Sequence, residues 1–139
     1  MKQHFATIEI ATRGSGLYGF TDRAARALAE SKLQDGLLTC FVRHTLASLL
    51  IQENADPDVL SDLESFMRRL VSRDPKLYRH TTEGPDDMPS HIRSALTAAS
   101  ISIPFRERRL ALGTWQGLFL FEHRDAPHAR EVLLHAIGA

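Results

Sequence analysis

Five residues able to do chemistry crowd one short stretch, YRHTTEGPDDMPSHIRSAL (78–96): His80, Glu83, Asp86, Asp87 and His91. Imidazoles and carboxylates are the side chains of general acid/base catalysis and of divalent-metal ligation. They work only when a rigid neighbour holds their backbone, and a loop entering a helix is a common place for that. Gly84, Pro85 and Pro89 supply the turn, and Pro89-Ser90 can open a short helix to about residue 98 with His91 in its first turn.

His80-x-x-Glu83 followed by Asp87-x-x-x-His91 offers borderline and hard donors, and His44, behind an apolar strand, is positioned to complete a set from a distant part of the chain. Two or three imidazoles with a carboxylate suit a divalent ion such as zinc. The spacing matches no metalloprotease helix motif. From the residues alone three readings stand: a metal site, a metal-free catalytic or binding site, and surface histidines. His44 also has a plain role, since a polar residue at a strand end commonly bonds neighbouring backbone. Thr45 and Ser48 offer hydroxyls either to phosphate or to the polar face of a strand. Arg109, at a strand entrance, can reach an anionic group. In Gly113-Thr114-Trp115-Gln116-Gly117 the amide of Gln116 suits a polar substrate, whereas Trp115 reads as core. His123 can join a site; His4, His128 and His135 read as surface or terminal groups.

The elements that must position these groups follow from patterning. Gln3–Thr12 alternates like a strand, Arg13-Gly14-Ser15-Gly16 turns the chain, and DRAARALAESKL forms an Ala-rich helix capped by Thr21 or Asp22 and ended by Gly36. LLTCFV and LASLLI, joined by Arg43-His44-Thr45, read as two strands or one bent strand. Asp56-Pro57 starts a second helix running to about Val71, whose Val59, Leu60, Leu63, Phe66, Met67 and Leu70 recur at core-packing spacing. The last third reads as strands: SISIPF, RLALGTWQGLFLFEH and EVLLHAI. Strand, helix, strands, helices and a run of strands predict a single α+β domain over 1–139. Its sheet is largely antiparallel, with two main helices and a short third.

The chain's 139 residues suffice for one hydrophobic core. Seventeen basic and seventeen acidic residues cancel, and a pI of 7.1 gives no broad field for nucleic acid or an anionic membrane. Any anion site is local. The lone Cys40, inside an apolar run, forms no internal disulfide and suits a reducing compartment. With no apolar run of about 18 residues and no basic-then-apolar N-terminus, a soluble cytoplasmic protein is expected. A glycine-rich nucleotide loop, a Gly-x-Ser-x-Gly elbow and Cys-x-x-Cys pairs are all missing, which disfavours nucleotide hydrolysis, serine hydrolysis and zinc ribbons.

Three blocks, HTLASLLIQENADPDV (44–59), YRHTTEGPDDMPSHIRSAL (78–96) and GTWQGLFLFEHRD (113–125), resemble the signatures of the YjbQ-like family, associated with secondary thiamine-phosphate synthase activity. The resemblance implies a compact α+β subunit in a homotrimer, with a histidine-rich pocket near a subunit interface. It implies a transferase that joins a hydroxymethylpyrimidine diphosphate to a thiazole phosphate and releases pyrophosphate. In that reading His44, His80 and His91 hold a divalent ion, zinc or magnesium. Glu83 and Asp87 orient the imidazoles or bind Mg²⁺, Arg109 faces phosphate and Gln116 meets substrate. The chain departs from the family pattern at Leu46, at Pro85 and at Arg108, which replaces a glycine and predicts a turn of altered shape. The low density of positive charge fits a synthase activity that is weak or secondary. Two alternatives share the same residues: a trimeric metal- or metabolite-binding protein without turnover, and a metal-dependent hydrolase of a small phosphorylated metabolite.

Overall fold

The computed structural model describes residues 1–139. Its two longest strands, β1 (Lys2–Thr12) and β8 (His128–Gly138), pair antiparallel from Lys2 opposite Gly138 to Thr12 opposite His128, which brings the two chain ends together. They belong to a five-stranded sheet of order β1-β8-β3-β5-β6, with β3 at Gly36–Val42, β5 at Ser100–Arg106 and β6 at Arg109–Leu110. A three-stranded sheet of order β2-β7-β4 (Gly16–Gly19, Gln116–Glu122, Ala47–Glu53) faces it. Every pairing is antiparallel, as the order of elements predicts.

Alternation supplies the core. Leu38, Cys40 and Val42 of β3, Ile103 and Phe105 of β5, and Val132, Leu134 and Ala136 of β8 point to one face, as the two-residue period of a strand requires. They meet Leu49, Leu118 and Leu120 from the smaller sheet and Ala24, Ala27 and Leu28 from helix α1 (Thr21–Ser31) in one connected cluster. Burial pushes the Cys40 thiol up to about 12, so it remains a protonated apolar side chain. The LLTCFV and LASLLI runs are two strands in different sheets, and His44-Thr45 lies in the turn between them.

Several local expectations are corrected. Helix α1 ends at Lys32 in the left-handed region (φ 61), not at Gly36. Gly36 instead lies in β3, where an added Cβ would run into the Ile137 carbonyl oxygen. Helix α2 (Pro57–Leu70) has the expected Asp56 cap, which accepts from the Asp58 N–H at 2.9 Å, but it buries no residue. It lies against the short strand β2, so its apolar stripe is only part-covered and Phe66 and Leu70 are more than half exposed. Trp115 is exposed as well, because residues 111–115 form a turn that splits the expected long strand into β6 and β7. At the hairpin between β5 and β6, Glu107 and Arg108 both take positive φ (51 and 66). Arg108 therefore sits in the left-handed backbone region that a glycine favours. No helix is long and apolar enough to cross a membrane.

Below the end of β7 sits a buried polar layer. Glu122 is fully buried, accepts from Arg130 through two bonds of 2.8 and 2.7 Å and from the Thr12 hydroxyl at 2.7 Å, and is thereby held below its ordinary pKa despite burial. Next to it the fully buried His123 shares a 2.9 Å hydrogen bond with Ser48, and desolvation drives its pKa down to about 3. Between that value and the roughly 6.5 of a free imidazole, the unfolded chain takes up a proton that the folded chain refuses. Stability therefore falls as pH drops from about 6.5 towards 3. In thermal melts across that window, His123→Gln is expected to show a shallower loss than wild type; parallel slopes would contradict the assignment.

A candidate metal centre at the start of helix α3

After α2 the chain makes a single 3-10 turn (Pro75–Leu77), crosses a loop carrying His80 and Glu83, and enters α3 (Asp87–Leu96). The helix begins two residues earlier than Pro89 suggests, since proline is tolerated throughout a first turn. This shift matters for the site. Asp87 becomes the first helical residue and His91 stands four residues on, so the two side chains share one face. The Asp87 carboxylate is buried, while His80 and His91 keep 46% and 35% of their side chains exposed.

Asp87 Oδ2 lies 2.6 Å from His80 Nε2 and 3.3 Å from His91 Nε2, and the three ligand atoms fall within 4.8 Å of one another. The imidazoles meet edge to face, with centroids 5.6 Å apart. Tetrahedral zinc with ligands at about 2.0–2.1 Å separates neighbouring donors by about 3.3 Å. The Asp87–His91 spacing already has that value, and the His80–Asp87 hydrogen bond has to lengthen by well under 1 Å. The donor set of two imidazoles and one carboxylate fits a divalent ion with a coordination position left for solvent or substrate.

Arg124, two residues beyond β7, fixes this carboxylate from behind. Its Nη1 is 3.0 Å from Asp87 Oδ1, while Nε and Nη2 donate to the Asp86 carboxylate at 3.1 and 3.2 Å. Nη2 also donates to the Glu83 carbonyl at 2.9 Å, tying the His80 loop to the same guanidinium. The Arg124 hydrogen bonds lower the Asp86 pKa to about 2, and the Asp125 N–H adds a further bond at 2.9 Å. Helix α3 docks on the His123 carbonyl, which accepts from the Ser90 hydroxyl at 2.8 Å and from Arg93 Nη2 at 2.6 Å. Arg93 is buried and has no carboxylate partner, so burial lowers its pKa; its Nε and His123 Nδ1 are buried without hydrogen bonds.

Sequence reasoning named seven candidates, and the structure gathers three of them. His80, Asp87 and His91 form the cluster, and Asp87 presents a carboxylate oxygen to both imidazoles. His44 does not join it. Its Nε2 accepts from the Glu131 backbone N–H at 2.8 Å, the strand-end role, so the ring is neutral with its proton on Nδ1 and neither nitrogen has a free lone pair. Desolvation and Arg130 lower its pKa further. Glu83 is exposed beside the site, and its carboxylate makes no hydrogen bond within the chain. Arg109 pairs with Arg106 in the hairpin at the far edge of the large sheet. Gln116 opens β7, roughly 20 Å along the strand from the Arg124 end, and its side chain accepts from the Gly113 N–H at 2.8 Å. Neither lies with the cluster in one chain. Sequence reasoning missed Arg124; the only hint was the charged Glu122-His123-Arg124-Asp125 run that ends an apolar strand.

A sequence model of the family described as "UPF0047 protein YjbQ-like" matches residues 6–139. A UPF0047 protein of Synechocystis sp. is 56% identical over 137 residues, covering 99% of this chain and 93% of its own length. The UPF0047 protein YjbQ of Escherichia coli O157:H7 is 39% identical, with 91% and 92% covered. Among solved structures, a conserved protein of Thermus thermophilus superposes with a TM-score of 0.84 at 34% identity, over 95% of this chain and 99% of that one. A YbjQ-like protein of Sulfolobus solfataricus has the same fold, with a TM-score of 0.90 at 22% identity over 99% of both chains. The chain belongs to the UPF0047, YjbQ-like family.

Proposed function

We propose that this protein is a divalent-metal enzyme acting on a small phosphorylated metabolite, with the ion on His80, Asp87 and His91. The observation that carries the reading is the convergence of those three donor atoms within 4.8 Å on one accessible ledge. A divalent ion there supplies a Lewis acid that neutralises charge on a departing phosphate or diphosphate. Asp87 offers Oδ2 because Arg124 occupies Oδ1, and Arg124 stays charged because its bond to Asp86 raises its pKa. Glu83, exposed and unbonded, is positioned to exchange protons with substrate at the loop. The family resemblance supports a thiamine-phosphate-synthase-type transfer as the reaction, and the lone Cys40 in an apolar run suits the reducing cytoplasm.

Arg109 and Gln116, assigned to substrate by the same resemblance, lie away from the cluster within one chain. A homotrimer allows them to act on a site completed by a neighbouring subunit. The outer face of the large sheet supports assembly: Phe5, Leu37, Phe41 and Ile137 are exposed on the adjacent strands β1, β8 and β3, Leu37 stands opposite Ile137, and Phe5 stacks on His135 at 4.4 Å. An uncovered apolar face of that kind marks an interface. Native mass spectrometry is expected to give the mass of three chains; a monomer would remove this part of the proposal.

Elemental analysis of untagged protein is expected to find one divalent ion per chain, lost in Asp87→Asn and His91→Ala and kept in His44→Ala. Arg124→Gln should weaken metal binding by roughly 10- to 100-fold, the usual effect of losing a group that orients a ligand. Metal-free wild type, or metal lost only with His44, contradicts the assignment. Metal-replete protein that forms no thiamine phosphate above background, or whose product formation survives Asp87→Asn, would sink the transferase reading and leave the metal site standing.

A further inference from the structure

Beside the cluster is a pocket of about 180 Å³ built wholly from the segment 73–89, with His80 in its lining. Its walls are Pro75, Tyr78, Pro85, Met88 and Pro89. The charge that borders it is already matched: Arg73 holds Asp125 through two bonds of 2.7 Å. Tyr78 donates its hydroxyl to the Ser72 carbonyl at 2.5 Å, so its ring is what remains to face an occupant. The pocket therefore has no free ion to attract a charged group, and His80 supplies the polar edge nearest the metal donors.

Size narrows the occupant. A cavity of about 150 Å³ holds benzene, and nucleotide- or drug-sized ligands need roughly 300 Å³ or more. One six-membered ring with a small substituent fills a volume of this size. Prolines and a tyrosine ring pack well against a flat aromatic face, and a methionine sulfur beside an aromatic ring contributes about 0.3–1.5 kcal/mol.

We infer that this pocket binds a single small aromatic or heteroaromatic ring, with the ring's polar substituent directed past His80 to the Asp87–His91 donors. The inference rests on the proposed metal centre for the direction of the substituent, and on the pocket alone for the ring. It names the substrate class as a compact aromatic phosphate ester whose ring is uncharged.

Three methionines, Met1, Met67 and Met88, make methyl-labelled NMR a clean reporter, because only Met88 lines the pocket. Phenol and phenyl phosphate are expected to shift the Met88 methyl saturably in metal-free protein, while inorganic phosphate and cyclohexanol do not. Thr81→Trp, which fills the pocket from an exposed lining position, should weaken the phenol effect by roughly tenfold and leave zinc stoichiometry unchanged. No Met88 shift, equal binding of cyclohexanol, or full binding in Thr81→Trp overturns the inference. Zinc uptake without ring binding overturns the pocket and spares the metal centre, whereas ring binding without zinc uptake does the reverse.

Discussion

Two buried carboxylates next to each other at the head of a helix repel unless a cation lies between them, and here that cation is Arg124. Its guanidinium touches Asp86, Asp87 and the Glu83 carbonyl at once. That contact holds the Asp86 carboxyl well below its usual range, but the more important effect is directional. With Oδ1 of Asp87 occupied, only Oδ2 is left for the two imidazoles. The same residue anchors the His80 loop, so the distance between His80 and the helix-borne donors depends on one side chain.

Arg124 can act this way because β7 delivers it. That strand is the centre of the smaller sheet and is buried from Gly117 to Glu122, so its end is fixed by the core. Glu122 then accepts from the backbone N–H groups of His123 and Arg124 at 3.1 and 3.3 Å, which holds the turn out of the strand. Arg130 balances Glu122 from β8 of the other sheet. The apolar cluster thus sets β7, the buried ion pair sets the turn, and the turn sets the guanidinium. The unpartnered Arg93 Nε and His123 Nδ1 lie where α3 docks on this turn, and each unmet buried group of that kind costs on the order of 1–3 kcal/mol. Close packing of α3 on the His123 carbonyl offsets that cost and keeps Asp87 and His91 in place.

Much of this was legible in residue order. The core alternation of β3 and β8, the Asp56-Pro57 helix start and the His80–Asp87–His91 segment all express local rules that tertiary context reinforces. What was not legible depended on which surfaces meet. The apolar stripe of α2 has perfect core spacing, yet no second layer arrives to cover Phe66 and Leu70. Trp115 looked like core because its neighbours are strand formers, but the chain turns there. The places of His44 and Asp87 were hidden for a similar reason: the free nitrogen of His44 meets the Glu131 N–H at a strand end, while an earlier start to α3 brings Asp87 under both imidazoles. Arg109 and Gln116 carry suitable chemistry at positions that one chain does not bring to the donors. Arg124 gave no signal in spacing, because its partners lie about forty residues upstream and tertiary packing, with α3 docked on the His123 carbonyl, brings the two regions together.

The most direct test is a crystal structure of the zinc-loaded protein with an anomalous difference map at the zinc edge. The expected result is one peak per chain within about 2.0–2.2 Å of His80 Nε2, His91 Nε2 and an Asp87 oxygen, with Arg124 still on the other Asp87 oxygen. A peak that includes His44 and leaves out Asp87, or no peak at α3, would contradict the account.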